Sequence, residues 1–326
     1  MPANLTPQYK EAEKRYREAK TVQERLFALE DMLALIPKHK GTEKLQADIK
    51  TRMSKLRNLP VKKSGRRDEF HVDREGAGTV IVIGHPSSGK SSLIASLTNA
   101  QAQIGDYPYT TMKPLSGMMS FENILIQLVD TPATYPDFTK TWLASLLRIC
   151  DLILLTFDLS SKEFLENIEM TIEEMKKLRI IPVNENRPDD RGKGRAYRKT
   201  ILVGMRNDRP ESSKHFKDVK EMYGDRFPIV NFSSITKENE RKIRELVFKE
   251  LEVIRIYTKR PGKEPDFEDP VVLPKGSSVL DFAYNIHKDF AKKLKFARLW
   301  GKAKFDGQRV NRNYVLSDCD VLEIKI

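Results

Sequence analysis

Gly84-His85-Pro86-Ser87-Ser88-Gly89-Lys90-Ser91 stands directly after the apolar run Thr79 to Ile83 and directly before a stretch of helical spacing from Lys90 to Leu97. The spacing G-x-x-x-x-G-K-S sets two glycines, Gly84 and Gly89, where backbone N–H groups must come close to phosphate oxygens. Lys90 then reaches the terminal phosphates and Ser91 ligates Mg²⁺. A helix that begins at Lys90 adds the positive end of its dipole at the same point. Pro86, Ser87, Ser88 and Ser92 complete the candidate phosphate site. The octapeptide alone is moderately specific, and a strand before it and a helix after it make it much more so.

Outward from that loop, short apolar runs alternate with helical stretches, the pattern of a mostly parallel sheet with crossover helices. Strands are expected at 79–83, 124–129, 152–157, 200–203 and 228–232, with helices beginning near Lys90, Asp137, Lys162, Ser212 and Glu238. Asp130 follows the second of these strands, where a carboxylate can hold the Mg²⁺ shell through water. Thr110 and Thr111 lie in the Pro/Gly-bounded stretch 107–117, which suits a switch loop. After the fourth strand, Asp208 can accept both N1–H and N2–H₂ of guanine, a pair of donors that adenine does not offer. Ser233 and Ser234 follow the last strand and offer backbone N–H groups to the guanine O6. The polar, basic stretch 187–199 reads as irregular, and Arg148 as a solvated surface residue.

Ahead of the sheet, residues 7–35 show helical periodicity, 37–41 break it, and Thr42 caps a second helix with Leu45, Ile49, Met53 and Leu56 on one face. The expected organisation is a helical hairpin over 1–60, a linker over 61–77 and the nucleotide domain over 78–256. A Pro-rich connector over 257–270 then leads to a small β-grasp module over 271–326, with a helix at 278–290 and strands at 297–300, 304–310 and 321–326.

The chain has 326 residues and carries 58 Lys+Arg against 46 Asp+Glu, a formal charge of +12 that favours polyanionic partners. From Lys38 to Arg67 eleven basic residues face two acids, and from Val271 onward eleven face six. One such run is ordinarily a solvated helix face; two on one chain point to nucleic acid. Cys150 and Cys319 cannot build a disulfide framework, which fits a reducing cytoplasm. No stretch approaches the roughly 18 apolar residues of a membrane span, and the charged first twenty residues carry no export signal.

At these residues the sequence resembles the developmentally regulated GTP-binding proteins of the Obg-like GTPases. The likeness rests on the phosphate loop, on Asp106-Tyr107-Pro108-Tyr109-Thr110-Thr111, and on Ile254-Arg255-Ile256-Tyr257-Thr258-Lys259 leading to Asp269-Pro270-Val271-Val272-Leu273-Pro274. The last segment opens what looks like a TGS domain, and the hairpin also resembles this family. The resemblance implies a slow GTPase that alternates between GTP and GDP with Mg²⁺. It also implies action with the ribosome or structured RNA through the basic hairpin and the TGS-like domain, with a monovalent cation and a protein regulator left open. It makes Thr111 rather than Thr110 the metal ligand, and Lys90, Thr111 and Asp130 the catalytic set. Two motifs depart from the family. D-x-P-G reads Asp130-Thr131-Pro132-Ala133, leaving Ala133 to offer its N–H to a γ-phosphate. N-K-x-D reads Met205-Arg206-Asn207-Asp208, keeping the carboxylate, with Arg206 placed to stack on the base. No Gln or His follows Pro132 at a spacing that would orient an attacking water.

Overall fold

The computed structural model describes residues 72–98, 115–131, 141–301 and 305–326, together with single positions between Tyr9 and Met53. The chain divides into two compact units, Met1–Glu69 and Phe70–Ile326. In the first, Tyr9, Leu29, Met32, Ile36, Ile49 and Met53 form a buried apolar cluster, and all but Ile36 are helical. Ile49 and Met53, four residues apart, share one helix face. Leu45 and Leu56, expected beside them, lie outside the described residues, as does most of the segment 61–77.

In the second unit β1 (Thr79–Gly84) is central to a seven-stranded sheet. It runs parallel to β3 (Ile124–Asp130) on one side and to β4 (Leu152–Asp158) on the other. Next to β4 lies β6 (Ala196–Met205), with which β5 (Ile180–Val183) and β7 (Ile229–Phe232) pair along successive parts. Among the described strands of this sheet, β2 (Leu115–Phe121), at the edge against β3, is the antiparallel one. Five helices cross between strands: α1 (Lys90–Leu97), α2 (Thr141–Ile149), α3 (Phe164–Lys177), α4 (Ser212–Tyr223) and α5 (Glu240–Leu251). Ile81 and Ile83 of β1 pack into a core with α2, α3 and α4, while Val80 and Val82 pack into another with α1 and α5. Burial on both faces explains why β1 reads as an unbroken apolar run rather than an alternating one. The carboxyl ends of β1, β3, β4, β6 and β7 meet along one edge, where open α/β sheets hold their ligands.

Three readings of this region need correction. Two edge strands go unread: β2, whose apolar residues are interrupted by Ser116, Gly117 and Ser120, and β5, an apolar run of only four residues that contains Pro182. The stretch 187–199 is ordered: Asp189 pairs with Arg198 at 2.7 Å, Arg187 lies 4.8 Å over the Tyr197 ring, and β6 already begins at Ala196. Arg148 is not a solvated surface residue, because its guanidinium donates to the carbonyls of Leu178 and Gly194.

A second, five-stranded sheet closes the chain, ordered β11-β10-β12-β8-β9. Its strands are β8 (Val253–Lys259), β9 (Pro265–Pro274), β10 (Phe296–Trp300), β11 (Gln308–Val310) and β12 (Asp320–Lys325), and α6 (Val279–Ile286) and α7 (Lys288–Lys293) cover one face. The expected connector, 257–270, is therefore not a connector: β8 and β9 pair antiparallel, with Ile254 opposite Leu273 and Ile256 opposite Val271. Pro265 and Pro270 are tolerated because β9 is an edge strand. The expected single helix is broken at His287, whose backbone is extended and whose ring Nδ1 accepts from Asp289 N.

Arg255 fixes the two sheets together. Buried to 5% exposure, it pairs with Asp318 at 2.7 Å and with Glu122 in the turn between β2 and β3, and lies 5.0 Å over the Phe248 ring of α5. Asn123, the next residue of that turn, donates to the Tyr257 hydroxyl and the Phe267 carbonyl.

Candidate nucleotide-binding site

The loop between β1 and α1 is held by contacts that only small residues allow. Gly84 has φ 156°, and a Cβ there would lie 2.4 Å from the Thr156 carbonyl oxygen of β4. Ser88 Oγ and Thr156 Oγ1 share a buried hydrogen bond of 2.8 Å, and Thr156 Oγ1 donates to Ile83 O at 3.1 Å. Thr156 belongs to no sequence motif; its one signal is a lone hydroxyl inside the apolar run Leu152 to Phe157. Gly89, at φ 90°, caps α1 without a side chain, and the first turn of α1 holds no acid. The first N–H groups of α1 thus keep their capacity for an anion. Pro86 is half-buried, whereas Ser87, Ser91 and Ser92 are exposed.

Lys90 is buried to 8% exposure and its ammonium donates to the carbonyls of Gly84 at 3.0 Å and His85 at 3.1 Å. Ser91 Oγ donates to Asp130 Oδ2 at 2.7 Å, so the loop serine and the carboxylate at the end of β3 come together as the sequence predicts. The other oxygen of that carboxylate, Oδ1, is buried without a hydrogen-bond partner. Beside it, Thr131 Oγ1 donates to Val82 O at 2.7 Å and ties the end of β3 to β1. Thr110, Thr111 and Ala133 lie outside the described residues.

Burial pushes the pKa of Lys90 down and that of Asp130 up; the charge of Asp130 opposes the first shift in part, and the Ser91 hydrogen bond and the charge of Lys90 oppose the second in part. A carboxyl whose folded pKa is raised contributes stability below its unfolded pKa, and that contribution is lost as pH rises through the folded value. Ionised Asp130 therefore opposes folding at neutral pH. Asp130→Asn is expected to raise the melting temperature of the nucleotide-free protein at pH 7, the gain shrinking toward about pH 4. Thermal melts across that range check it, and a lower midpoint for the variant at pH 7 would refute it.

At the ends of β6 and β7, Asp208 Oδ1 accepts from Ser233 Oγ at 2.6 Å, and this bond, above all other causes, holds its carboxyl below the usual range. Ser233 is fully buried, and its Oγ also accepts from the N–H groups of Ile235 and Thr236 at 3.2 Å. The serine expected only to offer its backbone thus also braces the Asp208 carboxylate. Ser234 is half-buried beside it. Arg206, with φ 61°, is ion-paired with Asp158 at the end of β4, a partner not expected from sequence. Met205 is buried against the phosphate loop: a Cβ on Gly89 would come within 3.0 Å of Met205 Cγ.

The chain is similar to known proteins over most of its length. A family model described as a 50S ribosome-binding GTPase matches residues 79–185, and a TGS domain model matches 254–326, beginning within β8. A GTP-binding protein of Methanocaldococcus jannaschii is 27% identical over 365 residues, spanning 94% of this chain and 93% of its own. Developmentally-regulated G-protein 3 of Arabidopsis thaliana is 27% identical over 365 residues, spanning 93% and 98%. Developmentally-regulated GTP-binding protein 2 of Homo sapiens is 24% identical over 361 residues, spanning 92% and 98%. A crystal structure of a GTP-binding protein from Pyrococcus horikoshii OT3 covers 76% of this chain and 99% of its own with a TM-score of 0.51, at 16% identity, a likeness of fold alone. With a phosphate loop seated between β1 and α1, and with β8 to β12 forming the matched TGS module, the chain carries a P-loop GTPase domain followed by a TGS domain and is similar over most of its length to developmentally regulated GTP-binding proteins.

Proposed function

We propose that this protein is a slow, Mg²⁺-dependent GTPase of the cytoplasm that acts as a ribosome- or RNA-associated switch. The observation that carries the reading is the pairing of Ser91 with Asp130 next to the buried Lys90 ammonium. Ser91 Oγ and the unpartnered Asp130 Oδ1 fit a divalent cation, with Thr111 as the further ligand. Among the described residues no group of three His, Cys, Asp or Glu side chains stands ready to hold a metal on its own, so such a cation would also need the nucleotide's oxygens. Bound there, Mg²⁺ would neutralise charge on the β- and γ-phosphates. Lys90 gives its ammonium to the same phosphates, the backbone from Gly84 to Ser92 lines them, and Ala133 offers its N–H to the γ-phosphate. Asp208 takes the guanine edge, Arg206 its face, and Ser233 and Ser234 the O6 side. With no Gln or His after Pro132 at a spacing that would orient water, turnover would rest on positioning and charge and be slow.

Multiple turnover of GTP by the purified protein with Mg²⁺, with and without ribosomes, tests this. K⁺ and candidate protein regulators enter as added components. A second reading, a nucleotide-binding module with little turnover, is favoured by Met205, which puts an apolar side chain on Gly89 where the family has an amide. Single-turnover hydrolysis that is no faster than background would select it.

Asp208→Asn is expected to weaken GTP binding by about 1 to 3 kcal/mol, because an amide donor then faces a guanine donor. ATP affinity should not rise to match. Competition of GTP, GDP and ATP for a fluorescent nucleotide measures both, and equal competition by GTP and ATP in the wild type would favour an ATP-preferring protein instead.

A further inference from the structure

The TGS sheet has one face covered by α6 and α7 and another that is not. Alternation along β10 puts Ala297 and Leu299 into the core and leaves Phe296, Arg298 and Trp300 on the outer face. Cross-strand register extends that face. Arg309 of β11 stands opposite Arg298, and Lys325 and Glu323 of β12 stand opposite Phe296 and Arg298. Arg309 lies 4.0 Å over the Phe296 ring and Lys259 of β8 lies 5.5 Å over the Trp300 ring. Four cations and two half-buried rings thus surround a single carboxylate. That carboxylate, Glu323, is 4% exposed and paired with Lys325. The exposed acids of this sheet's edge, Asp266, Glu268 and Asp269, lie on β9, beyond β8.

Flat rings flanked by cations, with Glu323 the one acid that the register sets between them among the described residues, fit an anion that carries aromatic faces of its own. Phe296 and Trp300 are four residues apart on one strand, roughly 13 Å, with Arg298 midway. A duplex presents only phosphates to such a surface, whereas an unpaired strand presents phosphates and bases together. We infer that the outer face of the TGS sheet is a platform for unpaired RNA, with bases stacked on Phe296 and Trp300 and phosphates held by Lys259, Arg298, Arg309 and Lys325. This rests on the RNA-associated reading above and assigns it a surface distinct from the lysines of α7.

The test is fluorescence anisotropy of a labelled single-stranded RNA of mixed sequence with the full chain, against a duplex of the same sequence. Arg298→Glu/Arg309→Glu and, separately, Phe296→Ala are expected to weaken single-strand binding about tenfold or more. Lys292→Glu/Lys293→Glu, an equal change of charge on α7, should weaken it less than threefold. Binding should quench tryptophan emission in the wild type and not in Trp300→Phe, which reports contact independently of affinity. Thermal melts confirm that each variant is folded. Equal losses in the sheet and α7 variants, equal affinity for duplex and single strand, or quenching that survives Trp300→Phe would each overturn the platform. Cosedimentation with ribosomes is read separately. If the wild type sediments with ribosomes while the sheet variants bind RNA normally, the platform falls and the ribosome reading stands. If the RNA results hold and nothing sediments, the reverse is true.

Discussion

Lys90→Ala is expected to reduce affinity for Mg·GTP at least a hundredfold while leaving the fold intact. The ammonium is buried at the loop and donates to two of its carbonyls, so it is already placed among the groups that would surround a phosphate. A charge-assisted hydrogen bond contributes about 1.5 to 3 kcal/mol, and two of them to phosphate oxygens give a factor of roughly 10² to 10⁴. Removing the charge also relieves the burial that depresses its pKa, so the melting temperature of the nucleotide-free variant should stay near the wild-type value. Ser91→Ala should show its loss with Mg²⁺ and little loss in EDTA. Calorimetry decides both, and wild-type affinity in Lys90→Ala would end the assignment of this loop to phosphate.

Gly84→Ala is expected to cost about 2 to 4 kcal/mol of stability and to abolish nucleotide binding. The new methyl would meet the Thr156 carbonyl at 2.4 Å and both hydroxyls of the Ser88–Thr156 pair at 2.6 Å, in a backbone conformation that L-residues rarely adopt. Neither obstacle can step aside, since one is the backbone of a central strand and the other a buried hydrogen bond. Gly262→Ala is the comparison, with φ 72° and nothing within 4 Å of its Cβ, so only the backbone penalty of about 1 kcal/mol remains. Urea midpoints of the two variants measure the difference, and similar midpoints would show that the loop yields more readily than its packing implies.

The elements legible in sequence were those that bury both faces or answer to a motif. β1, β3 and β4 are continuous apolar runs, and the Ser91–Asp130 pairing follows from where the loop and β3 end. What escaped notice depends on partners far away in the chain. The prolines made 257–270 read as a connector, which hid the end of β8, and Arg255 of that strand is buried because Glu122 and Asp318, 133 and 63 residues away, neutralise it. The base site divided the same way: Asp208 was visible from its place after β6, whereas Asp158 and the hydroxyl of Ser233 gained roles only when β4, β6 and β7 lined up.

Helix α5 ends at Leu251 and β8 starts at Val253, so Glu252 alone joins the GTPase domain to the TGS sheet. Its carboxylate accepts from Lys199 at 3.2 Å, and its carbonyl accepts from Lys275 N at 2.7 Å, one anchor on each side. The joint is a pinned elbow with no slack in it, not a tether. A chain trimmed at Pro270, where the prolines invite the cut, would keep β8 stripped of β12 and of the last four residues of β9, with Ile254 and Ile256 bared on a strand edge that recruits other strands. Any tilt of α5 against its sheet is likewise delivered undamped to the far module, so the two handle as one rigid tool rather than two beads on a string.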